Sequence, residues 1–491
     1  MNRTTLSLFA GTAALAAVTA FAAVDSPSAS GAAPGAAARQ PVERTSLVCP
    51  APSTSDLAET TYTSFTPVTK GAASGGGARL QAAGEKDAKG GKDKKAGQPV
   101  LTPKAPGTPA TGDTSGGDTP ALVGTADGSF APGWTVQETT EVAAGTGRGL
   151  LGVNCTGADT DFWFPGASTA AGRTDYVHLT NPDDSAAVVD IELYGKDGAI
   201  KAPLGENLTV EPGASEAFLL PTLTEERQTG LTVHVSVRGG RVGAAVQALD
   251  DKAGGDWLAP AADPAGSLVL PGIPKDATEV RLTAFAPGDD DADLKIRLAS
   301  PDGLITPAGH ETVHVKSGMT TTVDLGDVTR GEPGSLVLTP TDQAVPVVAA
   351  LQVVRGKGDK RETAFIPATA AVGARATSAG NSAKGTTLAL SAPEGAATVK
   401  VTASAGSEGG TPATKTYTIK SGTTQDVDAP VPTGLKGTYA LTVEPVSGGP
   451  VYASRTLTAA DTPAFTVQTL PSDHGLVSVP RTQEDLSILQ K

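Results

Sequence analysis

The sequence predicts an all-β chain of tandem immunoglobulin-like or fibronectin-like β-sandwiches, on three observations. The first is a recurring stretch: Leu208-Thr-Val-Glu-Pro-Gly-Ala-Ser215 returns as Val313-His-Val-Lys-Ser-Gly-Met-Thr320 and again as Tyr417-Thr-Ile-Lys-Ser-Gly-Thr-Thr424. Each copy reads as a strand entering a tight turn at a glycine that takes φ > 0. The spacing of about 105 residues suits one small β domain rather than a solenoid or propeller unit. The second is composition: 59 Gly and 37 Pro among 491 residues, with 4% aromatics, favour short strands and many turns over helices. The third is alternation. Val189, Ile191 and Leu193, and then Leu231, Val233, Val235 and Val237, stand two apart, the pattern of strands with one buried face.

Taken in order, residues 1–24 read as a signal peptide or an N-terminal membrane anchor. Arg3 precedes an apolar run from Leu6 to Val24, Ala20-Phe21-Ala22 offers small residues for a cleavage site, and the run is near the shortest that spans a bilayer. The rest of the chain is therefore expected to be secreted or extracytoplasmic. Residues 25–45, rich in Ala, Gly and Pro, predict a disordered tether. Residues 46–162 predict one small N-terminal β unit, in which Ala121–Cys155 alone reads as half a sandwich, interrupted by a disordered Gly/Lys-rich insertion at 71–120. Lys86, Lys89, Lys92, Lys94 and Lys95 in that insertion suggest a patch for anionic wall polymers, but Glu85, Asp87 and Asp93 are interspersed with them.

Cys49 and Cys155 fit an oxidising compartment, where a pair is usually a disulfide. Joined, they close a loop of about a hundred residues, for which chain entropy gives roughly 4 to 5 kcal/mol as an upper figure. Two buried free thiols are the alternative.

Residues 163–266 form the first expected sandwich repeat, with Arg238-Gly-Gly-Arg241 as a hairpin turn and Trp257-Leu-Ala-Pro260 at its close. Residues 267–370 form the second, in which Leu294, Ile296 and Leu298 take the places of Val189, Ile191 and Leu193. A linker is expected at 371–385 and a third repeat at 386–480, followed by a tail at 481–491. The third keeps Val399-Lys-Val401 but has no evident counterpart of the Leu294–Leu298 strand, which predicts a smaller copy with an open edge.

Motifs for chemistry are sparse. His310-Glu-Thr-Val-His314 matches the H-E-x-x-H pattern of zinc proteases, which needs a helix to bring both imidazoles to one ion. His314 lies in the recurring strand, where residues four apart are separated by about 13 Å, so a zinc hydrolase on His310 and His314 is only a remote alternative. Asp289, Asp291 and Asp293 in one loop are weak candidates for calcium; Leu294 and Ser300 stand where an EF-hand loop has its Gly and bidentate Glu. No Gly-x-Ser-x-Gly elbow frames a serine nucleophile, and His178, His234 and the Asp473-His474 turn read as structural. Trp163 and Trp257 suggest either a sugar-stacking platform or anchors at sandwich junctions. No catalytic residue or cofactor is assigned.

The Ala-rich leader, Val48-Cys-Pro50, the Gly/Lys-rich insertion, Val153-Asn-Cys155, Trp163-Phe-Pro-Gly166 and Leu179-Thr-Asn-Pro182 together resemble an uncharacterised family of secreted actinobacterial proteins, a domain-of-unknown-function family. The resemblance spans nearly the whole chain and implies an extracytoplasmic protein with no established active site. The formal charge of −14 argues against nucleic acid as a partner. The expected function is a non-enzymatic structural or interaction protein of the bacterial envelope, whose partner is an envelope protein or cell-wall glycan. An envelope carbohydrate-binding module is the alternative.

Overall fold

The computed structural model describes residues 38–84, 98–460 and 462–479. Of these, 38–40 and 478–479 belong to one unit and Pro41–Val477 forms the other, to which the following description applies. Strand dominates, at 56% against 3% helix, so nearly every buried backbone group is satisfied by sheet pairing rather than within a helix.

Four sandwiches share one strand order. The first comprises β1 (Arg44–Cys49), β2 (Ala58–Phe65), β3 (Ala78–Ala82), β4 (Ala110–Ser115), β5 (Leu122–Asp127), β6 (Thr135–Val142) and β7 (Gly149–Asn154). Its sheets run β1-β5-β3 and β4-β2-β6-β7. The second comprises β8 (Asp161–Ser168), β9 (Arg173–Thr180), β10 (Ala187–Gly195), β11 (Ser215–Leu219), β12 (Thr229–Gly239), β13 (Gly243–Asp250) and β14 (Gly254–Leu258), in sheets β8-β12-β10 and β11-β9-β13-β14.

The third repeats this order with β15 (Leu268–Ile273), β16 (Ala277–Phe285), β17 (Ala292–Ala299), β18 (Thr320–Gly326), β19 (Gly334–Pro340), β20 (Val348–Arg355) and β21 (Glu362–Pro367). The fourth does so with β22 (Ala376–Asn381), β23 (Thr386–Ala392), β24 (Ala397–Ala403), β25 (Thr423–Val427), β26 (Tyr439–Gly448), β27 (Tyr452–Thr458) and β28 (Phe465–Thr469). The sandwich architecture is the expected one. Its sheet membership, first-fifth-third against fourth-second-sixth-seventh, differs from the ABED and CFG division of an immunoglobulin domain.

Alternation sets the cores. Val189, Ile191 and Leu193 on β10 and Leu231, Val233 and Val235 on β12 are all within 1% of full burial, facing Val177, Leu179 and Val246 of the opposite sheet. The recurring stretch is where the chain crosses between sheets. An edge strand (Leu208–Val210, Thr312–Val315 or Ala413–Ile419) ends at Gly213, Gly318 or Gly422, whose φ values are 70°, 67° and 74°, and the chain then enters β11, β18 or β25. Only glycine takes that conformation without steric cost. In the last two copies the hydroxyl two residues later reaches the previous sandwich: Thr320 Oγ1 donates to Thr232 Oγ1 at 3.0 Å, and Thr424 Oγ1 to Ser335 Oγ at 2.8 Å, whereas Ser215 bonds Thr180 of its own sandwich.

Several expected boundaries are corrected. The insertion at 71–120, expected to be disordered, contains β3 and β4, and Leu80 pairs with Leu101, so these residues complete the first sandwich. Buried Ala78, Leu80 and Leu101 give that polar stretch enough apolar surface to fold. Its lysine cluster at 86–95 falls outside the described residues. The expected tether at 25–45 includes a strand, Ala38–Pro41, and the start of β1. The expected linker at 371–385 contains β22, which pairs with β26 while Val372 joins the fourth core. Arg238-Gly-Gly-Arg241 does not close a hairpin, because β12 and β13 lie in different sheets.

The fourth sandwich is not missing a strand. Val399 and Val401 lie on β24, which sits between β26 and Ala413–Ile419 as β17 sits between β19 and Thr312–Val315; the expected open edge of β24 is therefore filled. Residues 1–37, with the expected leader and most of the tether, and the tail at 481–491 lie outside the described residues.

The sandwiches pack in a closed circuit. β8 lies against β16 and β20 of the third sandwich, β15 against β23 and β27 of the fourth, β22 against β2 and β6 of the first, and β1 against β13 of the second. Their last strands, β7, β14, β21 and β28, pack each against the next and β28 against β7. Each seam has its own apolar cluster. Trp257 packs with Leu151 and Val153 between first and second, Trp163 with Phe285 and Val348 between second and third, Tyr452 with Val269 and Val337 between third and fourth, and Phe65 with Ala379 and Ala440 between fourth and first.

Candidate functional sites

The residues singled out from the sequence do not converge. His314 lies on the edge strand Thr312–Val315, with Nδ1 2.8 Å from Asp293 Oδ1 and Nε2 3.5 Å from Asp291 Oδ2. His310 belongs to the preceding turn, its N–H donating to Pro307 O at 3.1 Å. The H-E-x-x-H segment is thus extended, as the strand reading requires. Asp291 also accepts from the Ser317 N–H at 2.9 Å, so two of the three calcium candidates are engaged with protein groups. Among the described residues, the one cluster of three His, Cys, Asp or Glu side chains with metal-ligand spacing is Cys49, Glu138 and Cys155. The expected disulfide between Cys49 and Cys155 is formed, spanning 106 residues and joining the end of β1 to the residue after β7.

The tryptophans are not a sugar platform. Trp163 is 8% and Trp257 2% exposed, and the Trp163 ring is covered by His234, stacked at a centroid distance of 3.8 Å, and by Phe285 at 5.4 Å. Both anchor sandwich junctions. His234 bridges Glu192 at 2.6 Å and Asp161 at 3.3 Å. His178 is buried with its ring edge-on to Trp257, and burial lowers its pKa to about 4.

Two features were missed in the sequence. The first is a polar junction where the four last strands meet. Asp256 on β14 is fully buried; its Oδ1 accepts from the Gly152 N–H of β7 at 3.0 Å, while Thr466 of β28 and the Phe365 backbone of β21 lie beside the carboxyl. Its Oδ2 has no hydrogen bond of good geometry. Burial pushes this carboxyl well above the usual carboxylate range, opposed by the Gly152 N–H. Gly152 is required by close approach, since a Cβ there would stand 2.6 Å from Thr466 Cγ2.

Around this junction, Arg148 Nη2 donates to the carbonyls of Lys252 at 3.1 Å and Arg361 at 3.0 Å and stands 3.8 Å from Glu362 Oε1, tying first, second and third sandwiches together. Arg455, fully buried, donates from Nε to Gln468 Oε1 at 2.8 Å and from Nη1 to Asn381 Oδ1 at 3.0 Å; burial brings its pKa down to about 9. Isolated Asp, Gly and Gln residues in strands carry no periodic signal, which is why the junction was not legible.

The second is a cleft of about 200 Å³ between the second and third sandwiches, lined among others by Arg173, Thr229, Arg281, Thr283, Gln352 and Arg361. Arg173 is held by the buried Asp175 through bonds of 3.0 and 2.8 Å, and Arg361 by Glu279 at 2.7 Å. Its wall combines paired cations, hydroxyls and the carboxylates of Asp250, Glu279 and Asp324, groups that offer hydrogen bonds to a polar ligand.

No helix among the described residues is long and apolar enough to cross a membrane. The model of a family of unknown function, DUF5719, matches residues 110–430, from the first sandwich into the fourth. No curated protein matches the chain.

Proposed function

We propose that this chain, which belongs to the DUF5719 family of unknown function, is a non-enzymatic scaffold of the bacterial envelope that holds four sandwiches in fixed register and presents their outer edges to a partner. One observation carries the reading. The fourth sandwich closes back on the first, where Arg375, held by Asp473 of its own sandwich, donates to Thr69 Oγ1 at 3.1 Å, and β22 lies on β2 and β6. A closed circuit of seams gives rigidity that a string of linked domains lacks. The recurring glycine and the common strand order support four copies of one unit. A disulfide and an apolar leader support an extracytoplasmic address.

The test is cross-linking of the full chain in its native envelope followed by mass spectrometry of the linked peptides. Links from one envelope protein to the outer edge strands would support the scaffold; a chain recovered only as itself would not.

The cleft between the second and third sandwiches favours a second reading, an envelope glycan ligand. Calorimetry with soluble cell-wall glycan fragments tests it, with binding lost in Arg281→Ala.

A further inference from the structure

We propose that reduction of the Cys49–Cys155 disulfide opens a three-ligand site for a thiophilic divalent cation of the zinc class, formed by the two thiolates and the Glu138 carboxylate. The three side chains come from different places in the first sandwich. Cys49 ends β1 in one sheet, Cys155 follows β7 in the other, and Glu138 lies on β6. Their ligand atoms lie within 4.8 Å of one another, and the residues are 0%, 5% and 0% exposed.

Glu138 is the observation that needs a cause. Its carboxylate lies beside Cys49 and Cys155, both members of the first core, where an acid costs free energy, and neither of its carboxyl oxygens has a hydrogen-bond partner. Tyr62, its cross-strand neighbour, also has a hydroxyl without a partner. A native core tolerates so unsatisfied an acid where it serves redox or ion chemistry. Two sulfurs and one carboxylate, with a fourth position left to water, are a tetrahedral zinc set with bonds of about 2.3 Å to sulfur and about 2.0–2.2 Å to oxygen. The bonded sulfurs must part to roughly 3.8 Å in such a tetrahedron.

The chemistry balances with a dithiol or phosphine reductant. A dithiol gives two electrons and two protons to the S–S bond and becomes a disulfide; a phosphine with water becomes the phosphine oxide. Metal uptake then releases the proton of each thiol. A cavity of about 150 Å³ at the seam of first and fourth sandwiches reaches Cys155, with Trp134, Asn154, Asp473 and His474 also in its wall, and gives reductant and ion a way in. Reoxidation by a disulfide, which takes the two electrons and leaves as two thiols, would rejoin the sulfurs and expel the ion, making the site a redox-controlled zinc store.

The test compares the full chain oxidised, the full chain reduced by a phosphine, and reduced Glu138→Gln, each incubated with Zn²⁺, desalted and counted by plasma mass spectrometry, with affinities from competition titration. One zinc per reduced chain, none on the oxidised chain and at least tenfold weaker binding in Glu138→Gln are expected. A reduced chain that keeps its strand circular dichroism and takes no zinc overturns the proposal, as does equal binding by the oxidised chain or by Glu138→Gln. If reduction unfolds the first sandwich, thermal melts decide. Zinc must restore the lost transition in the wild-type sequence and not in Glu138→Gln, and failure on either count overturns the proposal.

Discussion

The carboxylate of Asp256, in the last strand of the second sandwich, accepts a 3.0 Å hydrogen bond from the backbone N–H of Gly152, in the last strand of the first. Residues 104 apart in sequence thus share one bond at the point where all four sandwiches meet. The junction is polar, yet burial there raises the carboxyl's pKa well above the usual carboxylate range.

Asp256 gives the fold a pH dependence of definite sign. Its folded pKa is raised above the unfolded value of about 3.9, so the native state binds more protons between the two, and stability falls as pH rises through that window. Replacing Asp256 with Asn should remove this slope and stabilise the chain at pH 7. Urea unfolding at pH 4 to 8 measures it; an unchanged slope in the variant would sink the assignment.

His178 acts in the opposite direction. Its pKa is about 4 when folded against about 6.5 when unfolded, so the unfolded chain binds the extra proton and stability is lost as pH falls from 6.5 towards 4. A shift from 6.5 to about 4 corresponds to an upper figure of roughly 3–4 kcal/mol. His178→Phe should flatten the acid limb of the stability profile in that range, as read by thermal melts.

Gly152→Val tests the close approach at the junction. The added Cβ meets Thr466 and Gln468 side chains, so strands β7 and β28 must separate, at a cost of about 1–3 kcal/mol for overpacking. Limited proteolysis should cut the variant between sandwiches faster than the wild type, while each sandwich keeps its strand circular dichroism.

Trp163→Ala should cost about 3–5 kcal/mol, the usual range for a buried aromatic. The loss falls on the seam between second and third sandwiches, where Trp163 meets Phe285 and Val348. Hydrogen exchange should quicken in β8, β16 and β20 before it does in β22. Uniform quickening would count against a seam-specific role.

What the sequence disclosed follows from how each feature is encoded. Alternating Val189, Ile191 and Leu193 announce a buried face, and the glycines at 213, 318 and 422 announce the crossover because glycine takes φ near 70° without steric cost. The first sandwich was harder to see. Leu101-Thr-Pro-Lys-Ala-Pro-Gly107 leads into β4 much as Leu208 to Gly213 leads into β11, with Gly107 at φ 85°, but one extra residue and the lysine-rich segment before it hide the match. The fourth sandwich was misaligned because β24 has two valines where β17 has two leucines and an isoleucine. Two seams were legible at Trp163 and Trp257, scarce aromatics flanking one repeat, whereas Phe65 and Tyr452 look like any core aromatic until a second sandwich is placed against them. The unpartnered Glu138 is equally silent, one glutamate in a threonine-rich strand.

The chain enters and leaves the sandwiches side by side, with the Val42 N–H donating to Gly475 O at 3.2 Å. Tension applied through those two points does not stretch the sandwiches as beads on a string. It loads the seam between the fourth and first sandwiches first, where Arg375 reaches Thr69, and only when that clasp parts do the other three seams bear force in turn. A protein tethered this way would answer a pull with one early yield and then a long extension, behaving as a latch before it behaves as a spring.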